Sequence, residues 1–479
     1  MDAGDLGEAL RHFNGVSQAL REHRPVLLGI GSQGRARPGP SRGIQRAVPA
    51  ASGAEPGRTR RARRPAGPPA GADLKKLQVR FARRPGESLL VGALAEDRGR
   101  VYFEYAPEFL STGLNLSPFR LPFEGGLFEH ADRGFGPLPG LFDDSLPDGW
   151  GLLLMDRHFR SRGLDPAGVG PLERLSWLGT RTMGALTYHP PTERSEGDGG
   201  VFDLHELARR SQELLAGDAV EVLPQLLRAG GSPGGARPKV LVGVRGGSLR
   251  SGEDDLPVGF EHWIVKFAAK KDLPDAGPAE YAYALMAAAA GIDMPPARLF
   301  KTSEGGRFFG VKRFDRAGDR RFHIHTFGNL IQSDFRVPSA DYADLLKAAS
   351  LLTRDHRDVL RAFRRMVFNV AARNRDDHVK NFAFIMDDRS GGWALSPAYD
   401  LSSAPGPGGE HSMTLAGEGK DPGRAHILRL AGPAGISRAQ AAAIIDEVRA
   451  AVDRWRGFAA QAGVSRAGSR EIAASFPKL

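Results

Sequence analysis

The sequence predicts an α+β protein in which two sheet-containing regions precede a mainly helical one. Residues 75–200 contain short segments of alternating apolar and polar residues, which is typical of antiparallel strands. Residues 201–318 combine a glycine-rich turn, further strand-like segments and an alanine-rich helix. Residues 319–479 contain long segments with apolar residues three and four positions apart, the period of an amphipathic helix.

The composition excludes several classes of protein. The 479 residues include no cysteine, which excludes disulfides, thiolate zinc sites, iron–sulfur clusters and a cysteine nucleophile. No apolar run approaches the roughly 18 residues needed to cross a bilayer, and the first residues lack the apolar stretch of a signal peptide. We therefore expect a cytoplasmic protein that is not inserted in a membrane.

Residues 1–74 form an Arg-, Pro- and Gly-rich extension that we predict to be disordered. They contain 12 arginines, no lysine and six acidic residues, so most of the net charge of +10 lies in this extension. The segment has no apolar periodicity that could support a core. It is either an arm that binds a polyanion, a solvated linker, or translated sequence upstream of the true start.

The region from 75 to 200 is predicted to be a small α/β subdomain. Its first three strand-like segments suggest a hairpin and a third strand, and a helix is expected to begin near Trp150. Trp150, Trp177 and Trp263 are expected to anchor the core. His323 and His325, which alternate along a predicted strand, are expected on its polar face.

The order of elements between 201 and 318 is that of a kinase nucleotide-binding lobe. A glycine-rich turn leads into an apolar strand, a strand with an embedded Lys266 follows, and a helix ends at Gly291. The sequence therefore predicts a two-lobed, kinase-like fold. The nucleotide-binding lobe spans 201–318, and a mainly helical catalytic lobe spans 319–479.

The segment NRDDHVKN carries the strongest chemical signal. Asp376 and Asn381 have the D-x4-N spacing of a kinase catalytic loop, which aims a base at the substrate and an amide oxygen at a metal ion. Asp400 lies 19 residues beyond Asn381, where an intervening hairpin would return it to the same site. An Asn and a carboxylate supply the oxygen ligands that Mg²⁺ prefers.

Lys266 is a candidate for neutralising phosphate charge. It lies among apolar residues in WIVKF, where a lysine is costly unless a counter-charge or a phosphate meets it. Glu280 either pairs with Lys266 or is a first-turn glutamate favoured by the helix dipole. The glycine segment GGSPGGARPK lacks the Walker A pattern and is compatible with a simple flexible turn.

Together these residues resemble a known family. The segments SPGGARPK, WIVKF, VKRFDR, NRDDHVKN and SPAYDL, in this order, resemble the HipA-type serine/threonine kinase toxins of bacterial type II toxin–antitoxin systems. LFDDSLPDGWG and GTRTMGAL resemble the N-terminal subdomain of that family. The similarity extends over about residues 75–460 and implies an ATP- and Mg²⁺-dependent protein kinase.

The resemblance also implies individual roles. Asp376 would be the catalytic base, Asn381 and Asp400 would bind Mg²⁺, and Ser232 would be the autophosphorylation site. The nucleotide would be bound through Lys266 at its phosphates, backbone groups of Lys312 and Phe314 at adenine, Asp315 near the ribose, and Gly234, Gly235 and His378. Arg237 and Lys239 would hold the phosphorylated loop outside the site. Lys312 departs from the best-known member, which has an acidic residue there.

The implied partners are a protein substrate, with aminoacyl-tRNA synthetases as precedent, and a HipB-like helix-turn-helix antitoxin. DNA would be reached only through that antitoxin. Two alternatives remain open. The chain could be an antitoxin-bound, DNA-associated co-repressor component. It could instead be a metal-dependent phosphohydrolase in which Asp376, Asp377, His378 and Asp400 serve a metal-activated water.

Overall fold

The computed structural model describes residues 75–479 except 133, 193–202, 218–221, 223, 231–233, 253–254 and 270–274. The predicted disordered extension (1–74) and the predicted autophosphorylation site Ser232 lie outside the described residues. Among the described helices, none combines the length and the apolar character needed to cross a membrane.

The first region is a five-stranded antiparallel sheet with helices packed against it. Its strand order is β4–β3–β2–β1–β5, and Leu77, Val79 and Phe81 point from β1 into the core. The predicted strands at its start are thus confirmed. The elements are β1 (Lys75–Arg84), β2 (Glu87–Asp97), β3 (Arg100–Tyr105), α1 (Pro107–Leu110), β4 (Leu127–Glu129), α2 (Gly140–Asp143), α3 (Gly149–Ser161), α4 (Pro171–Leu178) and β5 (Leu186–His189).

A second five-stranded antiparallel sheet follows, with the order β7–β6–β8–β10–β9. Its helix α7 ends just before Gly291, whose φ of 74° suits glycine, as the sequence predicted. The elements are α5 (Leu204–Ala216), α6 (Pro224–Gly230), β6 (Lys239–Arg245), β7 (Ser248–Ser251), β8 (Glu261–Lys266), α7 (Ala276–Ala289), β9 (Ala297–Lys301) and β10 (Arg307–Lys312).

The core of this second sheet includes residues from both sides of position 200, the predicted boundary between the first two regions. Trp150 and Leu154 of α3 pack in one cluster with Val240 and Val242 of β6 and with Trp263 of β8. Trp150, Trp177 and Trp263 are all buried, which confirms their prediction as core anchors. Helix α3 therefore belongs to the first region by sequence and to the second by packing, and it brings its N-terminal end beside the glycine-rich turn.

The remaining region is mainly helical with two small sheets, as predicted. The apolar residues of α10, among them Val359, Phe363 and Met366, are buried. Near the C-terminus, the helices α12 and α13 are separated at Asp453 and Arg454. The elements are β11 (Arg316–Ala317), β12 (Arg320–Arg321), β13 (His323–Thr326), α8 (Phe327–Ile331), α9 (Tyr342–Thr353), α10 (His356–Ala371), β14 (Ala383–Met386), β15 (Trp393–Leu395), α11 (Arg424–Ala431), α12 (Arg438–Val452), α13 (Trp455–Ala462) and α14 (Arg466–Ser475).

The two histidines of β13, which were predicted on a polar strand face, are buried. His323 Nε2 lies 2.9 Å from the carbonyl oxygen of Leu116, and His325 lies between Ser117 (3.0 Å) and Asp144 (2.5 Å). Alternation identified the face on which these side chains lie. It could not show that the first region covers that face and supplies polar partners.

Burial of His323 makes the stability of the fold depend on pH. Burial, reinforced by His325, lowers the pKa of His323 from 6.5 to about 4. A histidine with a lowered pKa is protonated more readily in the unfolded chain, so its stabilisation is complete above pH 6.5 and is lost as the pH falls toward 4. We expect this residue to cost on the order of 3 kcal/mol of unfolding free energy at pH 4.

Denaturant unfolding between pH 7 and 4 measures this effect. His323→Gln, which retains a donor for the Leu116 carbonyl, is expected to flatten the pH dependence. His356→Gln, at an exposed position, serves as the control and leaves the profile unchanged. Parallel profiles for wild type and His323→Gln would contradict the assignment.

Candidate active site

The loop between α10 and β14 carries two adjacent aspartates in different environments. Asp377 is buried, and its Oδ2 accepts hydrogen bonds from the Tyr342 hydroxyl (2.6 Å) and from His411 Nδ1 (2.8 Å). Its Oδ1 accepts the backbone N–H of Ser412 at 2.8 Å. Asp376, in contrast, is exposed. Asp377 therefore anchors the loop and leaves Asp376 facing the solvent side.

This finding corrects one alternative from the sequence. The hydrolase hypothesis used Asp377 beside a metal-activated water. Both carboxylate oxygens of Asp377 already accept hydrogen bonds inside the protein, and the side chain has no exposed surface. A buried carboxylate with these partners is held in place and is not offered to a metal ion.

Asp376 and Asn381 lie at the two ends of one tight turn. The backbone N–H of Asn381 donates to the carbonyl oxygen of His378 at 2.8 Å, which closes the turn. Asn381 Nδ2 donates to the carbonyl oxygen of Asp376 at 2.6 Å. Because the amide nitrogen is used inside the loop, the amide oxygen Oδ1 is the atom left for a ligand.

The pKa of Asp376 lies above the ordinary range for aspartate. Its side chain is 56% exposed, but the surrounding walls of the site still reduce its hydration, and this desolvation raises the pKa. His378, whose Nε2 is 4.0 Å from Asp376 Oδ1, opposes the shift, while Asp400 and Asp377 add to it. A carboxylate with a raised pKa is a better proton acceptor than an ordinary aspartate.

The segment after β15 returns to this loop, as predicted. Tyr399 donates its hydroxyl proton to the carbonyl oxygen of Lys380 at 2.6 Å. Further on, Ala404 pairs with Asn374 in an isolated parallel bridge. These contacts fix Asp400 beside the loop of Asp376, and the charge of Asp400 contributes to the raised pKa of Asp376.

Lys266 joins the second sheet to this site. Its Nζ contacts Glu280 Oε1 of α7 and lies 2.6 Å from Asp400 Oδ1. The sequence left open whether Glu280 pairs with Lys266, and the structure shows that it does. Burial by itself lowers the pKa of Lys266, but Asp400 and Glu280 outweigh burial and raise it above the ordinary value. Lys266 is therefore held as a buried cation between two carboxylates.

Asp400 has a strained backbone. Its φ of 57° lies in the left-handed region, which residues other than glycine adopt only when neighbouring contacts hold them there. Lys266 makes the largest contribution to lowering the pKa of Asp400, with a further contribution from Lys239, so the carboxylate is ionised. Strain of this kind concentrates where a side chain is aimed for function.

The glycine-rich turn is shaped around a second lysine. Gly235 has a φ of 96°, a backbone conformation that favours glycine, and a Cβ built there would press on the end of the Lys239 side chain. Lys239 is buried, and its Nζ donates to the carbonyl oxygen of Gly234. Lys239 is also the register partner of Lys266 across β6 and β8.

From the resemblance, Lys239 was predicted to hold the phosphorylated loop outside the site together with Arg237, and that role stays a prediction. Burial and the neighbouring Lys266 lower the pKa of Lys239, which is the electrostatic signature of two cations sharing one pocket. In the conformation that the structure describes, Lys239 holds the glycine turn against the sheet. The only feature of the sequence that indicated this buried position was that Lys239 is the first residue of an apolar strand.

Three acidic residues of the first region contact the glycine turn, the loop of Asp376 or the end of β13, and sequence reasoning missed all three. Asp143 lies 3.1 Å from Nζ of Lys380. Asp144 accepts from the backbone N–H of Thr326 at 2.8 Å. Asp148 accepts the backbone N–H of Gly235. The only indication of these contacts in the sequence was the density of acidic residues in LFDDSLPDGWG.

The connector after β10 fits the predictions only in part. Phe314 lies beside the ring of Tyr399, with centroids 5.6 Å apart, and therefore borders the segment of Asp400. Lys312 has its Nζ 2.6 Å from Glu261, and its backbone N–H donates to the carbonyl oxygen of Pro296 at 2.9 Å. The adenine contacts themselves stay predictions.

Asp315 differs from its predicted role. The side chain is 3% exposed, and its oxygens accept hydrogen bonds from Arg313, Arg316 and the backbone N–H of Gly184. The carboxylate has no surface to offer a ribose, which speaks against the predicted contact. Its role here is to join the connector to the first region.

The donor set is suitable for magnesium. Among the described residues, no three His, Asp or Glu side chains are grouped to hold a metal ion by themselves. The predicted pair supplies one amide oxygen and one ionised carboxylate, and Mg²⁺ characteristically combines one or two protein oxygens with water and phosphate oxygens. Asn381 and Asp400 thus fit the ion as part of a shell that a nucleotide completes.

Two family models match this chain and account for most of the described residues. A HipA-like C-terminal domain matches residues 231–455, and a HipA N-terminal domain matches residues 87–189. The chain belongs to the HipA family. The N-terminal match covers β2 to β5 of the first sheet, and the C-terminal match covers the glycine turn, both lysines and the loop of Asp376.

Two curated relatives and one solved structure extend this finding. The protein named "Putative kinase Y4dM" of Sinorhizobium fredii is 29% identical over 349 residues, 67% of this chain and 76% of the relative. "Putative kinase Y4mE" of the same species is 32% identical over 134 residues, 25% of this chain and 30% of that protein. The Shewanella oneidensis MR-1 HipA, solved with HipB and operator DNA, shares the HipA fold with a TM-score of 0.62 and 18% identity, over 83% of this chain and 94% of that chain.

Proposed function

We propose that this HipA-family chain is an ATP- and Mg²⁺-dependent protein serine/threonine kinase. One observation carries the proposal: Lys266 bridges Glu280 and Asp400, and the segment of Asp400 is fixed beside the loop of Asp376 and Asn381. A lysine–glutamate pair next to a metal-binding carboxylate and a D-x4-N loop is the arrangement that phosphoryl transfer requires. The kinase names of the relatives support the same assignment.

Each residue has a distinct role in this proposal. Asp376 orients the hydroxyl of the substrate and accepts its proton. The hydroxyl oxygen forms a bond to the γ-phosphorus, the bond from that phosphorus to the bridging oxygen breaks, and ADP leaves. Lys266 neutralises phosphate oxygens and Glu280 keeps its ammonium in position. Asn381 and Asp400 hold Mg²⁺, which when bound neutralises charge on the phosphates.

The structure favours the kinase over the phosphohydrolase. The hydrolase hypothesis needs a cluster of acidic and histidine ligands around a metal-bound water, but Asp377 is committed to Tyr342, His411 and Ser412. Lys266, held between two carboxylates, is suited to neutralising phosphate charge, a role that the hydrolase hypothesis does not need.

The protein partners follow from the family. We propose a HipB-like helix-turn-helix antitoxin as partner, because the Shewanella HipA of the same fold is solved with HipB and operator DNA. Contact with DNA would then be indirect. The protein substrate is proposed to be related to translation, with an aminoacyl-tRNA synthetase as the precedent from the resemblance. Ser232, outside the described residues, remains the proposed site of autophosphorylation.

Replacing Lys266 tests the proposal. Lys266→Met is expected to reduce transfer of labelled phosphate from ATP to protein by about 10²–10³-fold, because one preorganised electrostatic contact is lost. Wild type is incubated with Mg²⁺ and γ-labelled ATP, and incorporation into the chain and into added acceptor proteins is measured. Mass spectrometry identifies the modified residue, which we expect to be Ser232.

Two further variants complete this experiment. Lys301→Met, at an exposed position of β9 in the same sheet, is the matched control and retains wild-type labelling. Because Lys266→Met leaves the buried Glu280 and the partly buried Asp400 without their cation, its folding is checked by thermal melting, and Lys266→Arg keeps the charge if folding fails. Release of phosphate without protein labelling by the wild type would favour the hydrolase instead.

A further inference from the structure

Asp148 occupies an unusual position for a helix-capping residue. It is the N-cap of α3, yet within the described residues its side chain makes no hydrogen bond to the N-terminal turn of that helix. Its Oδ1 instead accepts the backbone N–H of Gly235 in the glycine-rich turn, 87 positions away. Tertiary packing therefore directs the Asp148 side chain to the distant glycine-rich turn and not to the start of its own helix.

The surrounding contacts hold α3 firmly against the glycine turn. The backbone N–H of Trp150 donates to the carbonyl oxygen of Gly235 at 3.0 Å, and the Trp150 indole donates to the Lys239 carbonyl at 3.1 Å. Gly149 has a φ of 41°, and a Cβ there would lie 2.6 Å from Cα of Ala236. The approach of the two segments is therefore close, and the carboxylate of Asp148 is fixed at the turn.

The charge of Asp148 acts on the two sides of the nucleotide site. Burial and Lys266 lower the pKa of Lys239 on β6, and the negative charge of Asp148 partly opposes that lowering. It also contributes to the raised pKa of Lys380 in the loop of Asp376, where Asp143 and Asp144 contribute more. The carboxylate is thus a negative charge in the corner formed by the glycine turn, β6 and the catalytic loop.

We propose that the Asp148 carboxylate occupies the place of a nucleotide phosphate at the Gly235 N–H. A nucleotide phosphate must displace this carboxylate before it can bind there. The proposal rests on the proposed kinase function, in which backbone N–H groups of the glycine turn approach the phosphates. The carboxylate and the phosphate need the same donor, and they carry charge of the same sign. Asp148 therefore lowers nucleotide affinity.

Asp148→Asn separates charge from hydrogen bonding. The amide oxygen of asparagine still accepts the Gly235 N–H, but the negative charge is gone. We expect magnesium–ADP and a non-hydrolysable magnesium–ATP analogue to bind about tenfold more tightly than to wild type, because a like-charge repulsion at short range is removed. Adenosine, which has no phosphate, is expected to bind equally to both.

Isothermal titration with the full chain measures these affinities. Asp165→Asn, an exposed capping aspartate of the same region, is the matched control and binds every ligand as wild type does. Asp148→Ala, which loses both charge and acceptor, is expected to bind the phosphate-bearing ligands more tightly as well. Thermal melting checks that each variant is folded.

The outcomes separate this inference from the proposed function. If wild type binds the nucleotides and Asp148→Asn binds them equally or more weakly, the carboxylate organises the turn for the nucleotide and the inference is wrong. If Asp148→Asn also binds adenosine more tightly, the effect is a general opening of the site and the inference is likewise wrong. If neither protein binds any nucleotide, the proposed function fails, and the inference fails with it.

Discussion

Asp376→Ala is expected to reduce phosphoryl transfer from ATP by about 10²–10⁴-fold while leaving nucleotide affinity within a few-fold of wild type. The range is the usual contribution of a positioned general base. Asp376 is exposed and makes no anchoring contact with its side chain among the described residues, apart from the distant His378. Its loss therefore removes a chemical group and leaves the fold intact.

Two measurements check this expectation. Incorporation of labelled phosphate is compared at saturating ATP, and nucleotide binding is measured by titration. Asp387→Ala, at an exposed turn after β14, is the control for loss of an acidic side chain and retains wild-type transfer. Undiminished labelling by Asp376→Ala would show that another group is the base.

Asp377→Ala is expected to affect the same loop through a different physical cause. The substitution leaves three buried donors, from Tyr342, His411 and Ser412, without their acceptor. An unsatisfied buried polar group costs about 1–3 kcal/mol, and breaking a buried charged network costs about 3–5 kcal/mol. We therefore expect a loss of at least about 3 kcal/mol in unfolding free energy.

The same variant is also expected to reduce phosphoryl transfer by at least tenfold below its melting temperature. The loop that carries Asp376 and Asn381 loses its central anchor, and a small displacement of reacting groups lowers the rate strongly. Denaturant unfolding and labelling are measured on the same preparations. If the folded variant transfers phosphate at the wild-type rate, the loop keeps its shape without Asp377 and the anchoring role is wrong.

A double-mutant cycle distinguishes anchoring from general destabilisation. Tyr342→Phe removes one of the donors to Asp377 and leaves the ring, which packs edge-on against Phe382. We expect the double variant to be less destabilised than the sum of the two single variants, because the partners share one hydrogen bond. Additive effects would show that the two residues act independently.

Much of the kinase-like arrangement could be predicted from local sequence features. The spacing of Asp376 and Asn381 predicted a single turn, and the structure closes that turn with the Asn381 N–H. Lys266 among apolar residues predicted a buried cation that needs a counter-charge, and Glu280 and Asp400 supply it. These predictions succeeded because loop length and the cost of an unpaired charge act over a few residues.

The errors share a cause. Asp315 was predicted near a ribose and His323 on a polar strand face, and both are buried against the first region. Asp377 was considered beside a metal ion, but it is enclosed by segments 35 positions away in both directions. Periodicity and spacing do not indicate which distant surface will cover a residue.

The sequence by itself determined the chemistry: which residues can accept a proton, hold a magnesium ion or neutralise a phosphate, and in what order they follow along the chain. The tertiary structure decided which of those groups are available. It places Lys239 opposite Lys266 through the register of β6 and β8, and it brings Asp148 to the Gly235 N–H through the packing of α3. Local spacing constrains neighbouring residues, but burial and long-range partners depend on how all the elements pack together.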